Sequence, residues 1–390
     1  MKISDYVESQ IKGLWGTDFD ENGIPVIKTN NLTYEGHIDY SDICKRNITR
    51  EYAKECYLKP GDLLIEKSGG TKTHSVGYVS YFEGDENKFV CNNFILALRL
   101  KNTINSKFLF YQIQFKYESN QFSDCFNKTT GIQNLKVKDY LAKEIKIYSP
   151  EEQEKIVKEL DTVRSTINKN KQILEKYDIL IKSRFIEMFG DPQCISNNWE
   201  VKSLSDYCIV NPKKSELGAI PDDYELSFIP MQSVSENGNI DTSTIKHYKE
   251  VKTGFTYFRE NDVLFAKITP CMENGKGCVA KNLKNKIGFG STEFHVLRPI
   301  ETISNSEWIY RLTTFKTFRK DAENNMTGSA GQRRTPKEFF DKYKVGLPPL
   351  SLQNQFADFV QQIDKSKFTV QKSLEKAETL YKSLMQQYFA

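Results

Sequence analysis

The chain repeats itself at an offset of 200 residues, in two different kinds of sequence. Gly61-Asp62-Leu63-Leu64-Ile65-Glu66-Lys67 is answered by Asn261-Asp262-Val263-Leu264-Phe265-Ala266-Lys267. Ile147-Tyr148-Ser149-Pro150-Glu151-Glu152-Gln153 is answered by Leu347-Pro348-Pro349-Leu350-Ser351-Leu352-Gln353. A heptad-patterned stretch then follows each time, in which Leu174, Glu175, Lys176, Leu180, Lys182, Ser183 and Phe189 match Leu374, Glu375, Lys376, Leu380, Lys382, Ser383 and Phe389. Solenoid repeats have periods of about 20–50 residues. A far longer period marks a duplicated globular domain, each copy followed by a long helix. At 390 residues each copy can bury a core of its own.

The coarse pattern is α+β: two duplicated α/β domains separated by a long antiparallel two-helix coiled coil. The expected spans are 1–148 for the first domain, 149–192 for the first helix, 193–348 for the second domain and 349–390 for the second helix. Residues 63–67, 77–81 and 89–100 read as strands, as do 261–267 and 293–297, being rich in Val, Ile, Leu, Phe and Tyr between Gly, Asn and Asp clusters. Residues 106–117 and 306–320 read as amphipathic helices. In 151–189, Leu160, Val163, Ile167, Asn170, Leu174, Tyr177, Ile181, Arg184 and Met188 alternate at spacings of 3 and 4. Val360, Ile363, Lys367, Val370, Leu374, Ala377, Tyr381, Leu384 and Tyr388 do the same in 351–389. A seam of this kind seeks another helix, and its polar members, Asn170 and Lys367, cost stability but fix register. Gly190-Asp191-Pro192 stops the first helix, Gly as a left-handed cap and Pro as a breaker.

Several chemistries are excluded by their missing residues. The eight cysteines (44, 56, 91, 125, 194, 208, 271, 278) form no C-x-x-C pair and there are four His, so zinc-ligand spacing is absent and the thiols read as reduced and mostly buried in a cytoplasmic protein. Asp18-Phe19-Asp20-Glu21-Asn22-Gly23 opens like a calcium loop, but Thr29 stands where the bidentate Glu belongs and Pro25 lies inside. Gly69-Gly70-Thr71-Lys72-Thr73 lacks the frame of a phosphate-binding loop. No H-E-x-x-H, G-x-S-x-G or Asn/Asp-Pro-Pro-aromatic tetrad occurs, so no catalytic apparatus is visible. No run of about 18 apolar residues suggests a membrane span, and Met1-Lys2-Ile3-Ser4-Asp5-Tyr6 already looks like folded sequence, not a leader.

The charge is unevenly placed. Residues 151–189 carry eight basic and eight acidic side chains, whereas 311–344 carry nine against four and 101–148 eight against four. The excess belongs to the globular halves, where contacts that release counterions from phosphate would need it. Each half also holds two polar loops with small residues that let a backbone approach a polyanion and donors suited to phosphates and base edges. In the first half these contribute Lys67, Ser68, Gly69, Gly70, Thr71, Lys72, His74, Thr130, Gln133 and Asn134 as candidate DNA-binding residues. In the second they contribute Lys267, Thr269, Asn274, Lys276, Ser329, Gln332, Arg333 and Arg334. The loops differ between copies while the flanking strands match, as expected if each copy reads a different half-sequence.

With these elements in order, the whole chain resembles the specificity subunit of Type I restriction–modification enzymes. The Pro60-Gly61-Asp62-Leu63-Leu64 strand, the Pro150 and Pro348-Pro349 entries to the long helices with Gln153 and Gln353, and the exit Met188-Phe189-Gly190-Asp191-Pro192 carry the resemblance. The first entry has one Pro where the family usually has two, and the second exit lacks Gly-Asp-Pro. The resemblance implies two target-recognition domains reading double-stranded DNA, with no catalysis by this chain. It implies two methyltransferase subunits carrying S-adenosylmethionine and, in the restriction form, translocase–nuclease subunits using ATP and Mg. Two other readings stay open: a stand-alone DNA methyltransferase or nuclease, and a coiled-coil structural adaptor that binds no DNA.

Overall fold

The computed structural model describes residues 1–70, 74–128, 132–191, 199–329 and 331–390. The chain divides into two compact units: residues 1–171 with 372–390, and residues 172–371. Each long helix, Pro150–Phe189 and Leu350–Phe389, is continuous, yet each unit takes half of both. Every globular domain therefore folds against a piece of its neighbouring helix and a piece of the other.

In the first unit the central strand Leu63–Glu66 is buried along its whole length. It lies in an antiparallel sheet ordered Val7–Ile11, Ile95–Leu100, Leu63–Glu66, Val79–Tyr81. Side chains of a strand alternate faces. Leu63 and Ile65 accordingly join the core under the helix Ser106–Glu118, while Leu64 joins a separate core with Ile27, Phe82 and Ala97. Apolar layers on both faces explain why this strand reads as an uninterrupted hydrophobic run. The second unit repeats the arrangement. Cys208–Val210, Phe294–Pro299, Val263–Ala266 and Gly277–Val279 form the sheet, Val263 and Phe265 face one core, and Leu264 and Ala266 face the other. A further sheet in each unit contains one parallel pair, Phe19–Ile27 with Val90–Cys91 and Glu225–Ile229 with Ile287–Gly290.

Two expected elements are divided. The strand expected over 89–100 is two, Val90–Cys91 and Ile95–Leu100, in different sheets. Asn92 Oδ1 accepts from the Phe94 amide at 3.2 Å, turning the chain between them. The helix expected over 306–320 breaks into Ser306–Thr314 and Lys316–Asn324 because Phe315 takes an extended conformation (φ −65°, ψ 138°). The break turns Phe315 into the core, 5.1 Å from the ring of Phe185.

The repeated motifs have structural duties. Gln153 and Gln353 are both buried. Each side chain accepts from the amide of a helix N-cap, Asn105 at 2.9 Å and Asn305 at 2.8 Å. Each also donates to the carbonyl of the entry turn, Tyr148 at 2.9 Å and Pro348 at 2.8 Å. The glutamine thus ties the start of each long helix to its domain. Asp62 and Asp262 each accept from Nε and one terminal nitrogen of an arginine on the adjacent strand, Arg99 and Arg298. They also cap the turn before the strand through the amides of Lys59 and Arg259, at 2.7 and 2.8 Å.

None of the expected seam residues is exposed. In the first unit the helix segments run in opposite directions: Asn170 Nδ2 donates to Ser373 Oγ at 3.1 Å, and Tyr388 Oη to Glu159 at 2.5 Å. In the second, Lys367 Nζ pairs with Asp178 at 2.7 Å, and Phe185 packs on Phe356. Both polar seam residues are satisfied across the helix pair. Towards the helix ends the buried face widens beyond a seam, because Phe185, Phe356, Met385 and Phe389 enter the globular cores.

Candidate nucleic-acid interface

In each unit the loop leaving the central strand meets the loop from the end of the domain through one equivalent hydrogen bond. The Leu135 amide donates to the Lys67 carbonyl at 2.8 Å, and the Thr335 amide donates to the Lys267 carbonyl at 2.8 Å. Around this shared tie the two copies differ. In the first, Ser68 and Gly69 pair with Asn134 and Gln133 as a short ladder, flanked by Phe126–Lys128. Ser68 Oγ donates to Asn134 Oδ1 at 2.7 Å, and Gln133 Oε1 accepts from the Val76 amide at 3.2 Å. In the second, Ile268 and Thr327 both bridge to Arg334, and the Thr269 amide donates to the Arg333 carbonyl at 3.0 Å. Candidate residues far apart in sequence thereby come together in two surfaces, one per unit.

Their exposure varies. His74, Asn134, Asn274, Ser329 and Gln332 are exposed. Lys67, Ser68, Gly69, Gly70, Gln133, Lys267, Thr269, Lys276, Arg333 and Arg334 are half-buried. Thr71, Lys72 and Thr130 lie outside the described residues.

The cations of the second surface are already engaged. Arg334 grips the Glu293 carboxylate with Nε at 2.9 Å and a terminal nitrogen at 2.8 Å. Arg333 stands 3.8 Å from both Glu273 and Glu323. Lys276 Nζ reaches the Met231 carbonyl at 3.5 Å. Burial pushes the Lys267 ammonium below its ordinary value, with the Glu293 carboxylate pulling the other way. Part of the basic excess counted over 311–344 is likewise internal, since Arg311 pairs with Glu307 at 2.8 Å and Arg319 is buried.

Other residues shape the surfaces without having stood out in the sequence. Glu66 is buried and accepts from the Gly70 amide at 3.3 Å. Burial drives its carboxyl above the usual range, while that amide pulls it down. Gly69 has φ +138°, a conformation that L side chains rarely adopt, and a Cβ there would stand 2.6 Å from Glu66 Oε1. Tyr34 stacks on His74 with ring centroids 3.8 Å apart. Tyr34 comes from a distant turn, and no local pattern marks it. Among the described residues no cluster of three His, Cys, Asp or Glu could hold a metal ion, and no helix is long and apolar enough to cross a membrane.

The family described as Type I restriction modification DNA specificity domain matches residues 3–177 and 196–378. The specificity subunit of the Type I restriction enzyme EcoAI from Escherichia coli is 42% identical over 165 residues, which is 41% of this chain and 27% of that protein. That of EcoEI, also from Escherichia coli, is 39% identical over 156 residues, 40% of this chain and 26% of that protein. The chain thus aligns with about a quarter of the length of these curated relatives. The crystal structure of the Type I restriction–modification S subunit from M. genitalium shares the fold, with a TM-score of 0.59 at 14% identity over the whole of this chain and 95% of that one. A chain from a structure on complex assembly and conformational transition of the type I R-M system gives 0.51 at 15% identity, over the whole of this chain and 96% of that one. The two matched segments lie one over each half of the repeat and together cover most of the chain, and on that evidence the chain belongs to the Type I restriction–modification DNA specificity family.

Proposed function

We propose that this chain reads a bipartite, asymmetric DNA target, one half through each unit, with an unread gap between the halves. The observation that carries the reading is the pair of two-loop surfaces. The Lys67–Leu135 and Lys267–Thr335 ties are equivalent, while the side chains around them differ. A common scaffold with divergent loops suits readout in the major groove, where all four base pairs are distinguishable. In this reading Lys67, Ser68, Gly69, Gly70, His74, Gln133 and Asn134 of the first surface serve the first half-site, together with Thr71, Lys72 and Thr130 from outside the described residues. Lys267, Thr269, Asn274, Lys276, Ser329, Gln332, Arg333 and Arg334 serve the second.

In this proposal the chain has no catalysis of its own and works in the cytoplasm. It docks two methyltransferase subunits, which hold S-adenosylmethionine, and in the restriction form translocase–nuclease subunits, which use ATP and Mg. Supporting it are the family match and the absence of catalytic motifs from the sequence. The test is an exchange of residues 1–148 for the equivalent unit of a relative, followed by methylation-site sequencing in cells that carry the partner methyltransferase. One half-site should change and the other persist; a change in both, or in neither, overturns the reading. Methylation by the purified chain alone would instead point to a stand-alone methyltransferase.

A further inference from the structure

We propose that Arg319 is the positioning residue of the second unit's reading loop, residues 269–276, and so sets how sharply that unit discriminates bases. The proposal rests on the two-loop reading given above. Arg319 lies on the helix Lys316–Asn324, outside both loops, and is 6% exposed. Its guanidinium lies 4.3 Å from the ring centroid of Phe265 on the central strand. From there it donates to the carbonyls of Thr313 at 2.6 Å, Met272 at 3.1 Å, Gly275 at 3.3 Å and Lys276 at 3.4 Å. Three of these four carbonyls belong to the loop that carries Asn274 and Lys276.

A buried guanidinium bonded to carbonyls is an expensive way to fill a core, since a charge gives up its hydration there. Burial lowers its pKa to about 10, so it stays charged at neutral pH. A planar fork with five donors can hold several carbonyls of one loop in fixed relative positions. A lysine ammonium is a point charge and cannot span them. A loop held this way loses little freedom on binding, so mismatched bases are not accommodated by rearrangement. The device belongs to one unit. Two hundred residues earlier stands Ser119, whose hydroxyl donates to the Phe115 carbonyl of its own helix at 2.7 Å.

The test uses Arg319→Lys and Arg319→Met in the full chain with its methyltransferase partner. Amide hydrogen exchange of residues 269–276 should accelerate about tenfold while the strand Val263–Ala266 stays protected. Sequenced methylation sites should keep the half read by the first unit and become degenerate in the other. Unchanged loop exchange overturns the proposal. So does a loosened loop with both half-sites intact, or relaxation in the first unit's half. Loss of folded protein in both variants also overturns it, making Arg319 a core residue only. If the domain exchange of residues 1–148 alters neither half-site, the reading of the surfaces fails, and the exchange rates show separately whether Arg319 holds the loop.

Discussion

At the scale of single residues, two buried polar sites of the second unit have measurable consequences. The Arg298–Asp262 pair has side-chain exposures of 4% and 1%, whereas in the first unit Arg99 is 24% exposed beside Asp62. Removing one partner of a buried pair strands the other charge, at about 3–5 kcal/mol. Arg298→Met should therefore destabilise its unit by about that much, and Arg99→Met its own unit by less. Denaturant unfolding followed by the fluorescence of buried Trp308 checks the first. His295 is the second site. Its Nε2 lies 2.8 Å from the Thr335 carbonyl and its Nδ1 3.0 Å from Asn211 Nδ2, which fits a neutral ring donating to the former and accepting from the latter. Burial pushes its pKa down to about 4. The unfolded chain takes up the proton near pH 6.5 and the folded one does not until about 4, so stability falls as pH drops through that window. Between pH 8 and 5 the loss should be about 2 kcal/mol, and His295→Gln should flatten it. An unchanged pH slope in that variant would mean that another group titrates. Little of this was legible in advance. His295 sits in an ordinary apolar strand, and its partners lie 84 and 40 residues away.

At the scale of elements, the repeat made most of the architecture readable. The long helices start and stop within one residue of their heptad pattern, because a seam sustained over four heptads and a Gly cap are local signals. Gly190 has φ +81°, and its amide donates to the Ile186 carbonyl at 2.8 Å. The break at Phe315 was not legible, since Trp308, Ile309 and Leu312 keep helical spacing up to it. What decides it is the pull of a distant core on one phenyl ring. The meeting of the two loops was equally hidden, because main-chain hydrogen bonds carry no residue signature. Nor could charge counting separate Arg319, buried against loop carbonyls, from cations open to phosphate. The helix-entry glutamine, by contrast, recurs visibly and has a definable energetic role. Gln353 holds the Asn305 amide and the Pro348 and Ile303 carbonyls. Gln353→Ala leaves these buried groups unpaired, and should destabilise the second unit by about 1–3 kcal/mol. A melting temperature that does not move would show that water replaces the amide.

At the scale of the whole molecule, the division of the chain shows where the long helices can be lengthened to test whether they set the gap between the half-sites. An insertion just before Gly190 would fall where Phe185 and Phe189 pack on Phe356, inside the second unit. Each helix instead passes from one unit to the other between Lys171 and Gln172, and between Gln371 and Lys372. Four residues inserted at both points would leave each half-seam packed against its own domain. Each helix would gain about 6 Å of rise and about 40° of rotation. Along B-DNA, one base pair adds about 3.4 Å and turns in the same right-handed sense by about 35°. Rise and rotation thus both correspond to a gap one or two base pairs longer. The four-residue insertion unwinds the coiled coil locally, which absorbs part of the change but does not reverse it. Methylation-site sequencing should return the same two specified halves around the lengthened gap. An active enzyme whose gap is unaltered would show that the helices do not set the spacing.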